Sequence, residues 1–88
     1  MSTNPEPEKI TALCFIRLER TKQDLVLEQV RQLPHAKHYS VITGEFDGII
    51  ELEVNNTNEL YENFKRIDKI PGIKSTNTHI IMKRFTFS

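Results

Sequence analysis

Two turn sequences, each set between apolar segments, constrain the fold of this 88-residue chain more than any other feature. In residues 41–50, Gly44 and Asp47 separate two β-branched runs. Because glycine tolerates positive φ and aspartate closes local side-chain turns, this pattern predicts a strand, a tight turn and a strand. In residues 70–78, Pro71 follows a helical pattern and precedes a strand pattern, which predicts a helix end and a new strand.

The segments before the first turn predict a strand and a helix. Alternating apolar residues over positions 10–18 predict a strand, which is expected to be central because both of its faces are apolar. Thr21 is the expected N-cap of a helix that ends at Pro34. The buried stripe of this helix is expected to consist of Val26, Leu27, Val30 and Leu33.

The rest of the chain predicts three strands and a second helix. Strands are expected over residues 36–43 and 48–54, and a final strand over residues 73–85. Asn56 and Glu59 have capping-box spacing and open the second helix, which buries Leu60, Phe64 and Ile67. The order βαββαβ predicts a ferredoxin-like α+β fold, a four-stranded antiparallel sheet with two helices on one face. The domain is expected to span residues 9–85, after a flexible tail of residues 1–8 that is rich in proline and polar side chains.

Two helices cover only one face of such a sheet, so the other face is expected to need a partner. Several bulky apolar side chains would lie on it, and monomers rarely expose a patch of that kind. Covering a few of them is worth several kcal/mol per subunit at about 25 cal/mol per Å². We therefore predict a homodimer packed sheet against sheet, with interface residues Leu13, Phe15, Ile49, Ile81 and Phe85.

Composition excludes several classes of function. Twelve basic and twelve acidic side chains balance, which argues against direct nucleic-acid binding, and no apolar run approaches the length of a membrane span. Cys14 is the single cysteine, which favours a reducing compartment, so a cytoplasmic location is expected. Neither Cys14 nor the three histidines have the paired spacing of zinc sites, so we expect no metal and no cofactor.

The two turn sequences also carry a resemblance to a family. Residues 43–47 look like a Gly-x-x-Asp turn, and residues 70–73 precede the spaced threonines Thr76 and Thr78 and an apolar strand. In this order they resemble the effector-binding module, or RAM domain, of the Lrp/AsnC transcriptional regulators. Members of that family carry a helix-turn-helix ahead of the module, whereas here only a short polar stretch precedes the first strand. The chain is thus similar to stand-alone members.

The resemblance implies a sensing and assembly function. It implies dimers joined through their sheets, assembly into tetramers or octamers, and amino-acid effectors bound near the Gly-x-x-Asp turn. Output would pass to a partner, such as a full-length relative in mixed oligomers, rather than to DNA directly. Backbone N–H groups near Gly44 would receive the effector carboxylate, and Asp47 or Glu45 its ammonium group. Phe46 would offer an apolar wall, and Thr76 and Thr78 would offer hydroxyl groups.

Two alternatives remain open at this point. The chain lacks a nucleophile beside a general base, a phosphate loop and paired metal ligands, so we expect no enzyme activity. A small ferredoxin-like enzyme resembling the dimeric monooxygenases is nevertheless the alternative of another class, because such sites need few recognisable residues. In the other alternative, the protein is a purely structural assembly module whose Gly44–Asp47 turn serves the backbone alone.

Overall fold

The alternation of apolar residues in the first strand organises the sheet. The computed structural model describes residues 9–88, in which β1 (Ile10–Leu18) lies between β3 (Gly48–Val54) and β4 (Ile73–Ile80). β2 (Ala36–Val41) pairs with the other side of β3, so the antiparallel order is β2-β3-β1-β4. This sheet and its two helices confirm the predicted ferredoxin-like fold, with β1 in a central position.

One face of the sheet forms the core with both helices. α1 (Gln23–Arg31) and α2 (Thr57–Asp68) contribute the apolar side chains predicted for them, with two exceptions: Leu27 is 39% exposed, and the buried Leu33 lies beyond the end of α1. Their partners are alternate residues of β1 and β3, all nearly inaccessible: Ala12, Cys14, Ile16, Ile50, Leu52 and Val54. Among residues 9–88, Asn63 of α2 is the polar side chain that is fully buried in this interior, and its Nδ2 donates to the Glu59 carbonyl at 2.8 Å.

Helix starts illustrate one correct and one wrong prediction. The capping box at α2 is confirmed, because Asn56 Oδ1 accepts from the Glu59 amide at 2.9 Å. The Glu59 carboxylate accepts a hydrogen bond from the amide of Asn55, the residue before the N-cap, at 2.7 Å. The N-cap predicted at Thr21 is wrong, because a 3-10 turn at Arg20–Lys22 precedes α1 and Lys22 occupies the N-cap without a side-chain bond.

Two strands are shorter than predicted. β2 ends at Val41 instead of residue 43, since the chain there turns toward Asp47, whose carbonyl accepts from the Ile42 amide at 3.0 Å. β4 ends at Ile80 instead of residue 85. Ile80 lies opposite Ala12, and β1 begins at Ile10, so β1 has no residue to pair with the chain near residue 85. The tail predicted for residues 1–8 lies outside the described residues.

The opposite face of the sheet, here called the open face, carries no helix. It consists of the alternate residues of opposite parity, namely Thr11, Leu13, Phe15 and Arg17 of β1, Ile49, Glu51 and Glu53 of β3, His38 and Ser40 of β2, and Ser75, Asn77 and His79 of β4. Leu13, Phe15 and Ile49 are half-buried by their neighbours. None of the helices in residues 9–88 is long and apolar enough to cross a membrane.

Candidate functional site

The turn between β2 and β3 is tied to the end of β1 by Asp47. Its backbone N–H donates to the Ile16 carbonyl at 2.8 Å, and its Oδ2 accepts from the Leu18 amide at 2.9 Å. Gly44 occupies the turn with φ +110°, a conformation that side-chain-bearing residues rarely adopt. One carboxylate oxygen of Asp47 is therefore committed to the fold, and the turn is held beside the last residues of β1.

Gly48 leaves room for the ring of Tyr39 to lie across the start of β3. A Cβ there would come within 3.0 Å of Tyr39 Cε1 and 3.2 Å of the Ser40 carbonyl oxygen. The Tyr39 hydroxyl is buried and has no hydrogen-bond partner among the described residues. Burial raises the pKa of Tyr39, and the negative charge of Asp47 adds to the increase. The tyrosine is thus a neutral group on the core side of the turn.

Arg17 links the turn to the open face. Its guanidinium lies 3.3 Å from Glu45 Oε2 and 5.6 Å from the centre of the Phe46 ring. Phe46 in turn packs on Phe15 with ring centroids 5.6 Å apart, and Phe15 meets the His79 ring edge-on at 5.5 Å. An aromatic cluster therefore connects the turn with the centre of the open face.

A depression lies where the turn, the end of β1 and the start of β4 meet. It has a volume of about 580 Å³, and its lining consists of Arg17, Leu18, Glu19, Arg20, Glu45, Asp47, Lys74 and Ser75. Three of these side chains are cationic and three are carboxylates, so the formal charges cancel. A lining that holds charges of both signs and sums to zero suits a small zwitterion better than a ligand with a net charge.

The structure brings together only part of the predicted ligand site. Glu45 and Asp47 line the depression, while Phe46 stands beside it on the open face. The register pairs Thr76 with Ile16 and Thr78 with Cys14, so both threonines lie on the helix-covered side of the sheet and away from the depression. That register comes from long-range pairing, and it cannot be read from the alternation of β4 alone.

Sequence reasoning missed the basic residues of the lining, which are Arg17, Arg20 and Lys74. The signal lay at the end of β1, where two arginines, Arg17 and Arg20, fall within four residues. In the structure the β1–β4 register shifts between Arg17 and Leu18, which marks an irregularity in the ladder beside the depression. Bulges of this kind re-aim side chains, and they are common near binding sites.

Cys14 lies in the core, away from the depression. Burial raises the pKa of its thiol, a contact with the Thr78 hydroxyl lowers it, and the charge of Asp68 raises it slightly. Across residues 9–88, no three histidine, cysteine or acidic side chains come together as metal ligands would.

Comparison with known families and proteins identifies relatives. Residues 11–88 match the family described as the Lrp/AsnC ligand binding domain. The chain is 27% identical over 82 residues to the HTH-type transcriptional regulator FL11 of Pyrococcus horikoshii, covering 91% of this chain and 54% of that protein. It is 28% identical over 79 residues to a homocitrate synthase of Sulfurisphaera tokodaii, covering 89% of this chain but 17% of the enzyme. The chain thus spans about half of the regulator and a small part of the enzyme.

Solved structures show the same fold. FFRP-DM1 superimposes with a TM-score of 0.76 at 28% identity, covering 83% of this chain and 99% of that one. The transcriptional regulator NMB0573 of Neisseria meningitidis, crystallised as a complex with L-Met, gives a TM-score of 0.81 at 13% identity over 90% of this chain and 53% of that one.

Proposed function

The chain belongs to the Lrp/AsnC ligand-binding domain family, and from that premise we propose that it binds a zwitterionic amino acid in the depression beside the Gly44–Asp47 turn. The observation that carries the proposal is the lining of three carboxylates and three cations with zero net charge. The L-Met complex of a regulator with the same fold supports an amino acid as the ligand class.

The groups around the depression suit the two charges of an α-amino acid. Asp47 uses Oδ2 to hold the Leu18 amide, which leaves Oδ1 to accept a charge-assisted bond from the ammonium group. Lys74 has no ion-pair partner among the described residues. It belongs to β4, which lies across β1 from the turn that carries Asp47, and it would be the partner for the carboxylate. This assignment replaces the backbone of Gly44 with Lys74 as the carboxylate partner.

We further propose that the protein acts as a homo-oligomeric sensing module with no catalytic step. The open face supports association, since its apolar centre needs cover. Matches to part of a regulator and to part of an enzyme support a module that works beside different partner domains. Modulation of transcription would then pass through mixed oligomers with full-length relatives, because the balanced charge of the chain does not favour direct contact with DNA.

Calorimetry with each of the twenty amino acids tests the ligand proposal. The informative variant is Asp47→Asn, which keeps an oxygen for the Leu18 amide while removing the charge that binds the ammonium group. We expect at least one uncharged-side-chain amino acid to bind the wild-type chain. Affinity should fall roughly tenfold or more in Asp47→Asn, since a hydrogen bond to a charged group is worth about 1.5–3 kcal/mol.

Asp68→Asn is the matched control, because Asp68 is an exposed carboxylate at the end of α2, away from the lining. Its affinity should equal that of the wild type. Absence of binding by all twenty amino acids, with oligomers intact, would favour the purely structural assembly module. Equal ligand affinity in Asp47→Asn and the wild type would mean that the ligand does not bind at this turn.

A further inference from the structure

A groove lies between the C-terminal half of α1 and the edge strand β2. It has a volume of about 310 Å³, which is within the range of small-molecule sites. Its lining, called the α1–β2 groove below, consists of Leu27, Val30, Arg31, Ala36, Lys37, His38 and Tyr39. The groove shares no lining residue with the depression beside the Gly44–Asp47 turn, so it is a separate place on the domain.

Apolar side chains supply much of the groove. Val30 is buried in the core, and Ala36 and Tyr39 pack against that core. Leu27, which the core leaves half-exposed although it belongs to the predicted apolar stripe of α1, lines the groove instead. The groove therefore offers apolar surface that the hydrocarbon body of a ligand would remove from water.

The charges of the groove have one sign. Among the described residues that line it, Arg31 and Lys37 are cations and none is a carboxylate. Lys37 has no ion-pair partner within residues 9–88, and the pair of Arg31 with Glu28, 3.5 Å from Nε to Oε1, is solvent-exposed and therefore weak. His38 lies opposite Glu51 on the open face, so the positive charge available to a ligand comes from Arg31 and Lys37.

A bulge in β2 places Lys37 beside the groove. The β2–β3 register shifts between Ala36 and His38, so Lys37 is the extra residue of the edge strand. Bulges re-aim side chains, and they are common at sheet edges and next to active sites. Arg31 is the last residue of α1, so each of the two elements that enclose the groove contributes one cation.

We propose that the α1–β2 groove binds a small organic monocarboxylate that has an apolar body and no ammonium group. Lys37 and Arg31 hold the carboxylate through charge-assisted hydrogen bonds, and the hydrocarbon body lies on Leu27 and Tyr39. An α-amino acid is rejected, because its ammonium group would lose water beside two cations without gaining a carboxylate partner. The groove thus takes a different class of ligand from the depression, and its ligand does not depend on amino-acid binding there.

Two ligands that differ in one group test this selectivity. In a nitrogen-15 NMR titration of the full chain, 4-methylpentanoate should shift the backbone amide signals of the groove residues saturably. Leucine, which is the same acid with an α-amino group, should leave those signals unchanged. The alcohol 4-methylpentan-1-ol, which lacks the carboxylate, should bind more weakly than 4-methylpentanoate.

Variants of the groove test the residues. Lys37→Gln should raise the dissociation constant of 4-methylpentanoate roughly threefold to tenfold, since it removes one charge-assisted bond at a partly exposed site, and Lys37→Arg should retain binding. Leu27→Glu puts a carboxylate into the groove and should abolish binding; circular dichroism checks its fold. Lys65→Gln is the matched control, because Lys65 is an exposed lysine of α2 outside the lining, and it should bind as the wild type does.

The outcomes distinguish this groove from the depression. Saturable shifts by 4-methylpentanoate that are absent from the groove, or confined to residues 41–48, overturn the proposal. So does equal binding of leucine and 4-methylpentanoate at the groove, or an equal effect of Lys37→Gln and Lys65→Gln. Failure of leucine to shift the signals of the Gly44–Asp47 turn counts against the proposed function alone, because 4-methylpentanoate binding at the groove is measured by other signals.

Discussion

Gly72→Ala is predicted to destabilise the fold more than Gly44→Ala, although both glycines have positive φ. Gly72 has φ +100° and Gly44 φ +110°, so both variants share a backbone cost of about 1–3 kcal/mol. A Cβ at Gly44 meets nothing within 4 Å, whereas one at Gly72 would lie 2.8 Å from Lys22 Cβ and 3.3 Å from Val26 Cγ2. Overpacking of this kind adds about 1–3 kcal/mol.

Urea unfolding measures the difference between the two variants. A domain of this size has about 4–12 kcal/mol of stability, so Gly44→Ala should stay folded while Gly72→Ala should lose a large part of its free energy of unfolding. Lys22→Gly removes the contacting Cβ, so the double variant Gly72→Ala/Lys22→Gly should regain about 1–2 kcal/mol relative to additivity. Equal losses in Gly44→Ala and Gly72→Ala, or strict additivity in the double variant, would refute the packing argument.

Two further predictions concern titratable groups. The hydrogen bond from the Asn55 amide holds the pKa of Glu59 below its ordinary value of 4.5, so its contribution to stability is present above pH 4.5 and lost as the pH falls through the lowered pKa. In Glu59→Gln, the urea midpoint should therefore fall less between neutral and strongly acidic pH than it does in the wild type. An equal fall in the two proteins would contradict this role of Glu59. Because burial raises the pKa of the Cys14 thiol, a disulfide reagent should label it only as fast as the protein opens; rapid labelling of the native state would argue against this burial.

Local pattern was sufficient to predict the fold, because each element carries its own periodicity and punctuation. β3 has the predicted bounds, and the capping box at Asn56 forms as its spacing requires. What depends on pairing between distant segments was not predictable. The β1–β4 register places Thr76 and Thr78, which we expected to bind the ligand, on the helix-covered side of the sheet, whereas Lys74 lines the depression.

The predicted start of α1 and the predicted end of β4 were both wrong, and the two errors have a related physical cause. A threonine is a good N-cap in isolation, but the Glu19 amide bonds to the Gly72 carbonyl at 2.7 Å and the chain enters α1 through a 3-10 turn. Alternating apolar residues continue beyond Ile80, yet a strand needs a neighbour, and β1 begins at Ile10. Tertiary context decided both boundaries.

We expect the proposed ligand binding and the proposed association to be coupled through Arg17. Its guanidinium is shared between Glu45 in the depression and Phe46, which packs on Phe15 at the centre of the open face. A bound amino acid that draws Glu45 or Arg17 toward itself changes the packing of Phe46 on the surface proposed to meet a second copy. Such coupling is reciprocal, so the factor by which the ligand tightens or loosens the dimer must equal the factor by which dimerisation changes ligand affinity. Arg17→Lys retains the charge but loses the planar contact with the Phe46 ring. The variant should therefore bring the coupling factor toward one, while ligand binding and dimerisation each still occur.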